Sequence, residues 1–369
     1  VSLVARRGRV AQLLTVGYAD VEQQAPIAPD TLFRIFSLTK PVTSVAALML
    51  VERGDIDLDA PIAEYIPAFK DVQVFVAEED GHVTTEPPRR PPTVKHLLTQ
   101  TSGIAGTAMT SREPLATFYR QARIGDEGLT LEETVDRLAQ IPLLFHPGEQ
   151  WRYGVSTDVL ARVIEVASGM RFGEFLRTNL FAPLGMDDTF FAVPEEKQYR
   201  LATLYTTMPT GELRPLRQSS NSSGGAAPAL ESGSAGLVST ILDYFRFAQM
   251  LLNGGEWDGA RLLNPETITL MGQNQLPPEL LPYKMPWPHV ASYTAGCGFG
   301  LGVRVVMDVE EWGLPGSVGE YGWAGAANTY LWMDPAKEIV ALLFTQAFPF
   351  LHTDLDSQFK RLVYDSLTG

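Results

Sequence analysis

Cysteine and histidine are scarce in this chain of 369 residues. The single cysteine, Cys297, excludes an internal disulfide, as is typical of a reducing compartment, and we therefore expect a cytoplasmic protein. The five histidines are scattered, with no His-Glu-x-x-His or other paired-ligand spacing, so we expect no metal. No motif calls for a cofactor, and we predict none.

Positive charge and long apolar runs are lacking as well. Lysine and arginine number 29 against 43 acidic residues, and the net charge of −14 argues against nucleic acid and anionic membrane surfaces as partners. No apolar run reaches the length of about 18 residues that a membrane span requires. We expect a small-molecule partner, and the oligomeric state stays open. Because the chain opens at Val1 on a strand pattern, we expect that part of the natural N-terminus is missing.

The stretch from Phe33 to Gly54 carries the first functional signal. Its pattern predicts a short extended run and then a helix from about Leu38 to Arg53, which Gly54 ends. Apolar residues recur at steps of three and four, so the helix should be buried on one side. This places Ser37 at the start of a predicted helix.

Ser37 and Lys40 form a Ser-x-x-Lys pair. The spacing of three puts the hydroxyl and the amine on one helix face, and the Ser37 amide lies at the positive end of the helix, where it could stabilise an oxyanion. The same spacing occurs at Ser357 and Lys360, within a polar segment that predicts a terminal helix with a solvated face. We therefore take Ser37 as the candidate nucleophile.

Strand patterns lie at both ends of the chain, and helix patterns fill its middle. The fold prediction is α+β: one antiparallel sheet built from both termini, flanked by helices, with a largely helical insertion. Residues 1–60 and 235–369 should form the sheet domain and residues 61–234 a mostly helical domain, with the active site at their interface. The predicted strands are Val1–Ala5, Val10–Val16, Phe299–Val306, Asn328–Met333 and Ile339–Thr345.

Several local signals complete this reading. Thr93 should cap a short helix, Thr130 with Glu133 should form a capping box, and Ser239 should cap an amphipathic helix. Glu78–Pro92 reads as an exposed loop, and Ser219–Ser234, rich in Ser, Gly and Ala, reads as a segment that lines a site or moves.

Six landmarks in this order resemble the serine β-lactamase and penicillin-binding-protein superfamily on its class C side, and most of all the family VIII carboxylesterases. They are FRIFSLTKPVTSVAALMLVERG, TVKHLLTQTSGI, PGEQWRYGVSTDVLARVIEVASG, FAPLGMDDTFF, GSAGLVSTILDYFRFAQMLLNGG and GSVGEYGWAGAANTYLWMDP. The resemblance covers nearly the whole chain. No G-x-S-x-G elbow occurs, which argues against an α/β-hydrolase as an alternative fold.

The resemblance implies a second catalytic element of the form Tyr-x-Asn or Ser-x-Asn. Tyr153 supplies the tyrosine, although Val155 stands where an asparagine is expected, and Ser219–Asn221 fits the other form by letter. We choose Tyr153 because it lies on the turn before a predicted helix, as the resemblance requires. Ser37, Lys40 and Tyr153 are then the catalytic residues of one coupled unit, and whether Lys40 or Tyr153 takes the serine proton stays open.

The resemblance also implies a third element, Lys-Thr-Gly, which the chain lacks. Trp323, Ala324 and Gly325 stand in its place, and the Ala326 amide would be the second oxyanion donor beside Ser37. Trp323 is neutral where relatives carry a cation, and Val155 replaces an amide that would bind a lactam side chain. Both changes favour simple uncharged esters, so Trp323, Ala324, Gly325 and Val155 are the predicted substrate-binding residues.

The leading hypothesis is a cofactor-free serine carboxylesterase that forms an acyl-enzyme. A β-lactamase or D-amino-acid peptidase or amidase is an alternative that predicts a cation near Trp323. An acyltransferase would use the same triad with another acceptor, and a non-catalytic binding protein would need the triad to have lost turnover. The natural substrate and its acyl length stay open.

Overall fold

Strands from the two ends of the chain meet in one sheet. In the computed structural model the described residues are 1–79, 82–106, 114–208, 210–216, 228–285, 288–351 and 353–367. The strands are β1 Ser2–Arg6, β2 Arg9–Leu14, β3 Tyr18–Asp20, β4 Ala25–Pro26, β5 Phe33–Arg34, β6 Val74–Glu79, β7 His82–Glu86, β8 Tyr205–Thr207, β9 Leu213–Pro215, β10 Val238–Ser239, β11 Glu256–Trp257, β12 Ala260–Arg261, β13 Cys297–Phe299, β14 Arg304–Val306, β15 Tyr321–Gly325, β16 Thr329–Asp334, β17 Ile339–Phe344 and β18 Ala347–Phe348.

The α-helices are α1 Thr39–Arg53, α2 Val94–Leu98, α3 Ala116–Gln121, α4 Leu131–Leu138, α5 Ser156–Ser168, α6 Phe172–Leu176, α7 Ala182–Leu184, α8 Ile241–Leu252, α9 Pro265–Met271, α10 Val309–Trp312 and α11 Leu355–Asp365. No helix within the described residues is both long and apolar enough to cross a membrane.

The sheet has seven antiparallel strands in the order β13-β14-β15-β16-β17-β1-β2. Ser2 of the first strand lies opposite Leu343, so the start of the chain is paired with its end. Helix α8 packs against β17, β16 and β1. The α+β prediction, with an antiparallel sheet built from both termini, is confirmed, and β1–β2 and β16–β17 each pair as an antiparallel hairpin.

The predicted nucleophile helix forms, but the prediction that only one side of it is buried is wrong. Gly54 ends α1 in the left-handed conformation with φ of 80°, as expected. Residues 39–50 are buried on every face, because α5 packs along the helix and the turn at Gly302 reaches Ser44. The apolar periodicity could not show this, because threonine, serine, lysine and alanine occupy the faces that the prediction left to solvent.

One strand prediction and one loop prediction also need correction. Phe299–Val306 is not one strand: β13 ends at Phe299 and β14 begins at Arg304, and Gly302 with φ of 85° makes the turn between them. Glu78–Pro92 is not a plain loop, because β6 and β7 pair as a hairpin. Most side chains of this hairpin are exposed, which is why its sequence reads as a loop.

Two of the three predicted helix caps are confirmed, and the third is wrong. Thr93 and Thr130 each cap a helix through a capping box, as predicted. Ser239 does not cap α8, because it is the last residue of β10 and its hydroxyl bonds Thr189. Thr240 is the cap, and its hydroxyl oxygen accepts a 3.1 Å hydrogen bond from the Asp243 amide.

Helices α2 to α7 and strands β6 to β9 fall within residues 61–234, and all strands of the seven-stranded sheet fall outside this range. The division into residues 1–60 with 235–369 and residues 61–234 stays a proposal.

The lysine of the second Ser-x-x-Lys pair, Lys360, lies in a buried ion-pair cluster. Lys360 on α11 is 4% exposed, so the face predicted to be solvated is partly buried. Its ammonium group donates to both Glu320 carboxylate oxygens at 2.6 and 2.7 Å, and burial lowers the pKa of Lys360 to about 8. Tyr364 also donates to Glu320, at 2.8 Å. The ion pair between Lys360 and Glu320 therefore holds α11 against the start of β15.

We expect Lys360→Met to lower the free energy of unfolding by roughly 3 kcal/mol, because it leaves the buried Glu320 without its main partner. Urea denaturation of wild type and variant measures this. Ser357→Ala is the matched control and should change stability by less than about 1 kcal/mol. Equal stability of Lys360→Met and wild type would contradict the structural role.

Candidate active site

Ser37 is presented by a strained turn at the start of α1. Strand β5 leads into a 3-10 turn, Phe36–Leu38, that continues into the helix. Phe36 has φ of 46°, a left-handed conformation that is costly for a non-glycine residue. Strand β15 packs against this turn, which helps to hold it. Ser37 is therefore half-buried at the N-terminal end of a helix, as the sequence predicts.

Lys40 lies one helical turn beyond Ser37 and is only 3% exposed. Its ammonium group donates a 2.9 Å hydrogen bond to the Ser234 carbonyl and lies 4.5 Å from the centroid of the Tyr153 ring. The structure thus brings Lys40 and Tyr153 into contact although they are far apart in sequence.

The Ser234 carbonyl that accepts from Lys40 is itself held by α5. The Ser234 amide donates to the Asp158 carboxylate at 3.0 Å, and the Ser234 hydroxyl bonds Thr157 at 2.9 Å. Burial raises the pKa of Asp158, while the Ser232 hydrogen bond and the Lys40 charge act in the opposite direction. Asp158 is a positioning residue that the sequence reading missed. The sequence predicts that Ser219–Ser234 lines a site or moves. The last residue of that segment, Ser234, contacts Lys40 through its carbonyl oxygen.

Tyr153 lies directly before α5, between Lys40 and Trp323. The Trp323 indole N–H donates to the Tyr153 hydroxyl oxygen at 3.4 Å, and the two ring centroids are 5.5 Å apart. The Trp151 ring stacks on the Tyr153 ring as well, with 6.2 Å between the centroids. The next residue, Gly154, donates its amide to the Gln100 side chain at 3.1 Å, which fixes the backbone here. Tyr153 is thus aimed by contacts on several sides.

A cavity of about 120 Å³ opens above these residues. Six of the predicted site residues line it: Ser37, Tyr153, Trp323, Ala324, Gly325 and Ala326. The remaining described lining residues are Met285, Val290, Tyr293, Phe348, Pro349 and Phe350. None of these described residues carries a charge, and most are apolar or aromatic.

Two sequence expectations lie apart from this cavity. Val155 is buried at the start of α5 and is not among the described residues that line the cavity, so its predicted contact with substrate stays a prediction. The competing stretch Ser219–Asn221 lies outside the described residues.

The rear wall of the cavity was missed by the sequence reading. Val290 and Tyr293 lie on the 3-10 helix Pro288–Tyr293, which Met285 precedes, and Phe348–Phe350 starts at the last residue of β18. Neither stretch contains a motif. The only signal was their apolar and aromatic composition, which core residues share.

A buried arginine lies close to the cavity without lining it. The Arg304 guanidinium is 4.4 Å from the Tyr293 ring centroid, donates to the Tyr293 carbonyl at 3.2 Å and pairs with Glu320 at 3.7 Å. Tyr293 thus stands between this cation and the cavity. Within the described residues, no group of three or more His, Cys, Asp or Glu could hold a metal ion.

Gly325 allows β15 to approach the nucleophile turn. A β-carbon at this position would collide with the Thr329 hydroxyl and with the Ile35 carbonyl, two residues before Ser37. We expect Gly325→Ala to lower kcat/KM for ester hydrolysis about 100-fold, because a shift of about 1 Å at the nucleophile has a cost of that size. Initial rates on p-nitrophenyl butyrate measure this.

The matched control is Gly128→Ala, whose added β-carbon would meet only the Asp126 carboxylate, at 3.3 Å. It should keep wild-type activity. A fully active Gly325→Ala enzyme would contradict the tight approach.

Comparisons with known proteins identify the family of this chain. The beta-lactamase family profile matches residues 1–364. Esterase EstB of Burkholderia gladioli is 31% identical over 366 residues, covering 94% of this chain and 85% of its own length. Monacolin J acid methylbutanoyltransferase of Aspergillus terreus is 29% identical over 373 residues, covering 95% and 86%.

A solved structure adds to these relatives. EstCE1, described as a hydrolase with promiscuous acyltransferase activity, superposes with a TM-score of 0.81 at 28% identity, covering 98% of this chain and 92% of its own. We conclude that the chain belongs to the beta-lactamase family, close to the family VIII carboxylesterases within it.

Proposed function

We propose that this chain is a serine carboxylesterase that hydrolyses small, uncharged carboxylic esters through an acyl-enzyme on Ser37. The observation that carries the proposal is the cavity beside Ser37, whose described lining residues are all uncharged. A charged substituent would lose its hydration there without gaining a partner. The relatives named as esterases support the same reaction.

In acylation, the Ser37 oxygen bonds to the ester carbonyl carbon. The negative charge that develops on the carbonyl oxygen is held by the backbone amides of Ser37 and Ala326, which border the same cavity. The bond from the carbonyl carbon to the alcohol oxygen then breaks. Ser37 lies at a helix N-terminus, so the helix dipole adds to this stabilisation.

Proton transfer falls to Lys40 and Tyr153, which are in contact. The pair takes the Ser37 proton during attack and delivers it to the leaving alcohol. Tyr153 is the better placed for delivery because it lines the cavity, whereas Lys40 is buried and is not among the described lining residues. In deacylation a water molecule gives its proton to the same pair and attacks the acyl carbon. Ser37 recovers a proton, and the acid leaves.

The test is a side-by-side assay of p-nitrophenyl butyrate and a chromogenic cephalosporin on the same enzyme. We expect ester turnover to dominate, because among the described lining residues there is no cation to hold a lactam carboxylate. Acid quenching during ester turnover, followed by peptide mass spectrometry, should find the butyryl group on Ser37. Strong cephalosporin turnover with little esterase activity would favour the β-lactamase or peptidase alternative.

An acyltransferase is the second candidate, because one relative is named a methylbutanoyltransferase and EstCE1 is described with acyltransferase activity. The two functions share the acyl-enzyme and differ in its acceptor. Adding a primary alcohol during turnover and measuring new ester against free acid separates them. Predominant ester formation at low alcohol concentration would replace the hydrolase proposal.

A further inference from the structure

A second cavity, of about 460 Å³, lies next to the one at Ser37. Its described lining includes aromatic rings and buried cations, among them Arg304, Trp312, Tyr330, Trp332 and Lys360. Of the described residues, only Tyr293 and Trp323 line both cavities. The larger cavity is thus separated from the nucleophile by two aromatic side chains.

These two rings are packed as a rigid wall. The Tyr293 and Trp323 centroids are 5.8 Å apart in an edge-to-face arrangement, and Phe350 meets Tyr293 edge-on at 5.4 Å. Trp323 is 2% exposed and Tyr293 is 8% exposed. The Arg304 guanidinium supports the Tyr293 ring from the side of the second cavity. Edge-to-face contacts between aromatic rings are favourable beyond the burial of area, so they help to hold the two rings in place.

We propose that Tyr293 and Trp323 form a partition that sets the size limit for the ester substituent bound beside Ser37. This deepens the proposed esterase function and rests on it. The cavity at Ser37, about 120 Å³, is much smaller than the second one, about 460 Å³, so it suits a short chain and stops a long one at the partition. Opening the partition would join this space to the larger cavity.

The experiment measures chain-length profiles for wild type, Tyr293→Ala and Trp323→Ala. One series extends the acyl group, from p-nitrophenyl butyrate to octanoate, and the other extends the alcohol, from ethyl to octyl butyrate. Both variants should raise the ratio of kcat/KM for the long ester over the short one at least tenfold in one series, since a single methylene can be worth that factor in an apolar pocket. The ratio within one variant cancels any loss of folded enzyme or of general activity.

The matched control is a variant that fills part of the second cavity. Leu314 lines the second cavity and not the first, and it lies outside the catalytic unit. Leu314→Trp alone should leave the wild-type profile unchanged. Combined with Tyr293→Ala, it should remove most of the gain on long esters, because it occupies the space that the opened partition exposes.

Unchanged ratios in both series for both opening variants would overturn the partition, and so would a gain that Leu314→Trp does not reduce. If Tyr293→Ala fails to fold, Trp323→Ala and Tyr293→Leu carry the same test. The proposed function fails separately, if wild type hydrolyses none of these esters. Wild-type turnover of butyrate with unchanged variant ratios would leave the esterase standing and remove only the partition.

Discussion

Ser37→Ala is expected to lower kcat/KM for p-nitrophenyl butyrate by at least about 10⁵-fold, because loss of the covalent nucleophile removes most of the rate acceleration that the whole catalytic unit provides. The fold should survive, since Ser37 is only half-buried and the variant keeps its backbone amide. The measurement is an initial-rate assay on purified protein whose circular dichroism matches wild type. A small fluorophosphonate should label wild type once and the variant not at all.

Ser357→Ala is the matched control, because it alters the serine of the other Ser-x-x-Lys pair. It should keep wild-type activity and labelling, since its lysine is bound to Glu320. If Ser37→Ala retained activity near wild type, the nucleophile would lie elsewhere and the acyl-enzyme proposal would fail.

The sequence predicts the site residues in two ways, from local geometry and from the order of motifs. Ser37 and Lys40 share one turn of one helix, so their spacing alone places the two groups together. Tyr153 and Trp323 are different, because no local rule brings residues so far apart into contact. They were found through the order of motifs, and the structure places their rings 5.5 Å apart.

What could not be predicted depends on contacts between distant segments. Tyr293 and Phe350 line the cavity beside Ser37 although they lie far from it in sequence, and the Tyr293 ring contacts both Trp323 and Phe350. The burial of residues 39–50 on every face of α1 has the same origin, since it follows from the packing of α5 and Gly302 and not from the residues of the helix. Periodicity describes one element at a time and cannot report what packs on its other faces.

The second large effect is expected for Tyr153→Phe. We expect kcat to fall about 10³-fold with little change in KM, because the phenol oxygen is lost and the ring keeps its place beside Lys40 and Trp323. Steady-state kinetics on p-nitrophenyl butyrate measures this. Tyr205→Phe removes a distant hydroxyl that accepts from the Val21 amide, and it should leave kcat unchanged.

Lys40→Met combined with Tyr153→Phe tests whether the pair acts as one unit. The ammonium group lies 4.5 Å from the phenol ring and is anchored by the Ser234 carbonyl, so each residue needs the other to move a proton. The double variant should therefore lose little more than the worse single variant. Multiplicative losses would mean two independent proton carriers. A Tyr153→Phe enzyme with more than a tenth of wild-type kcat would make Lys40 the sole base, with the tyrosine reduced to packing.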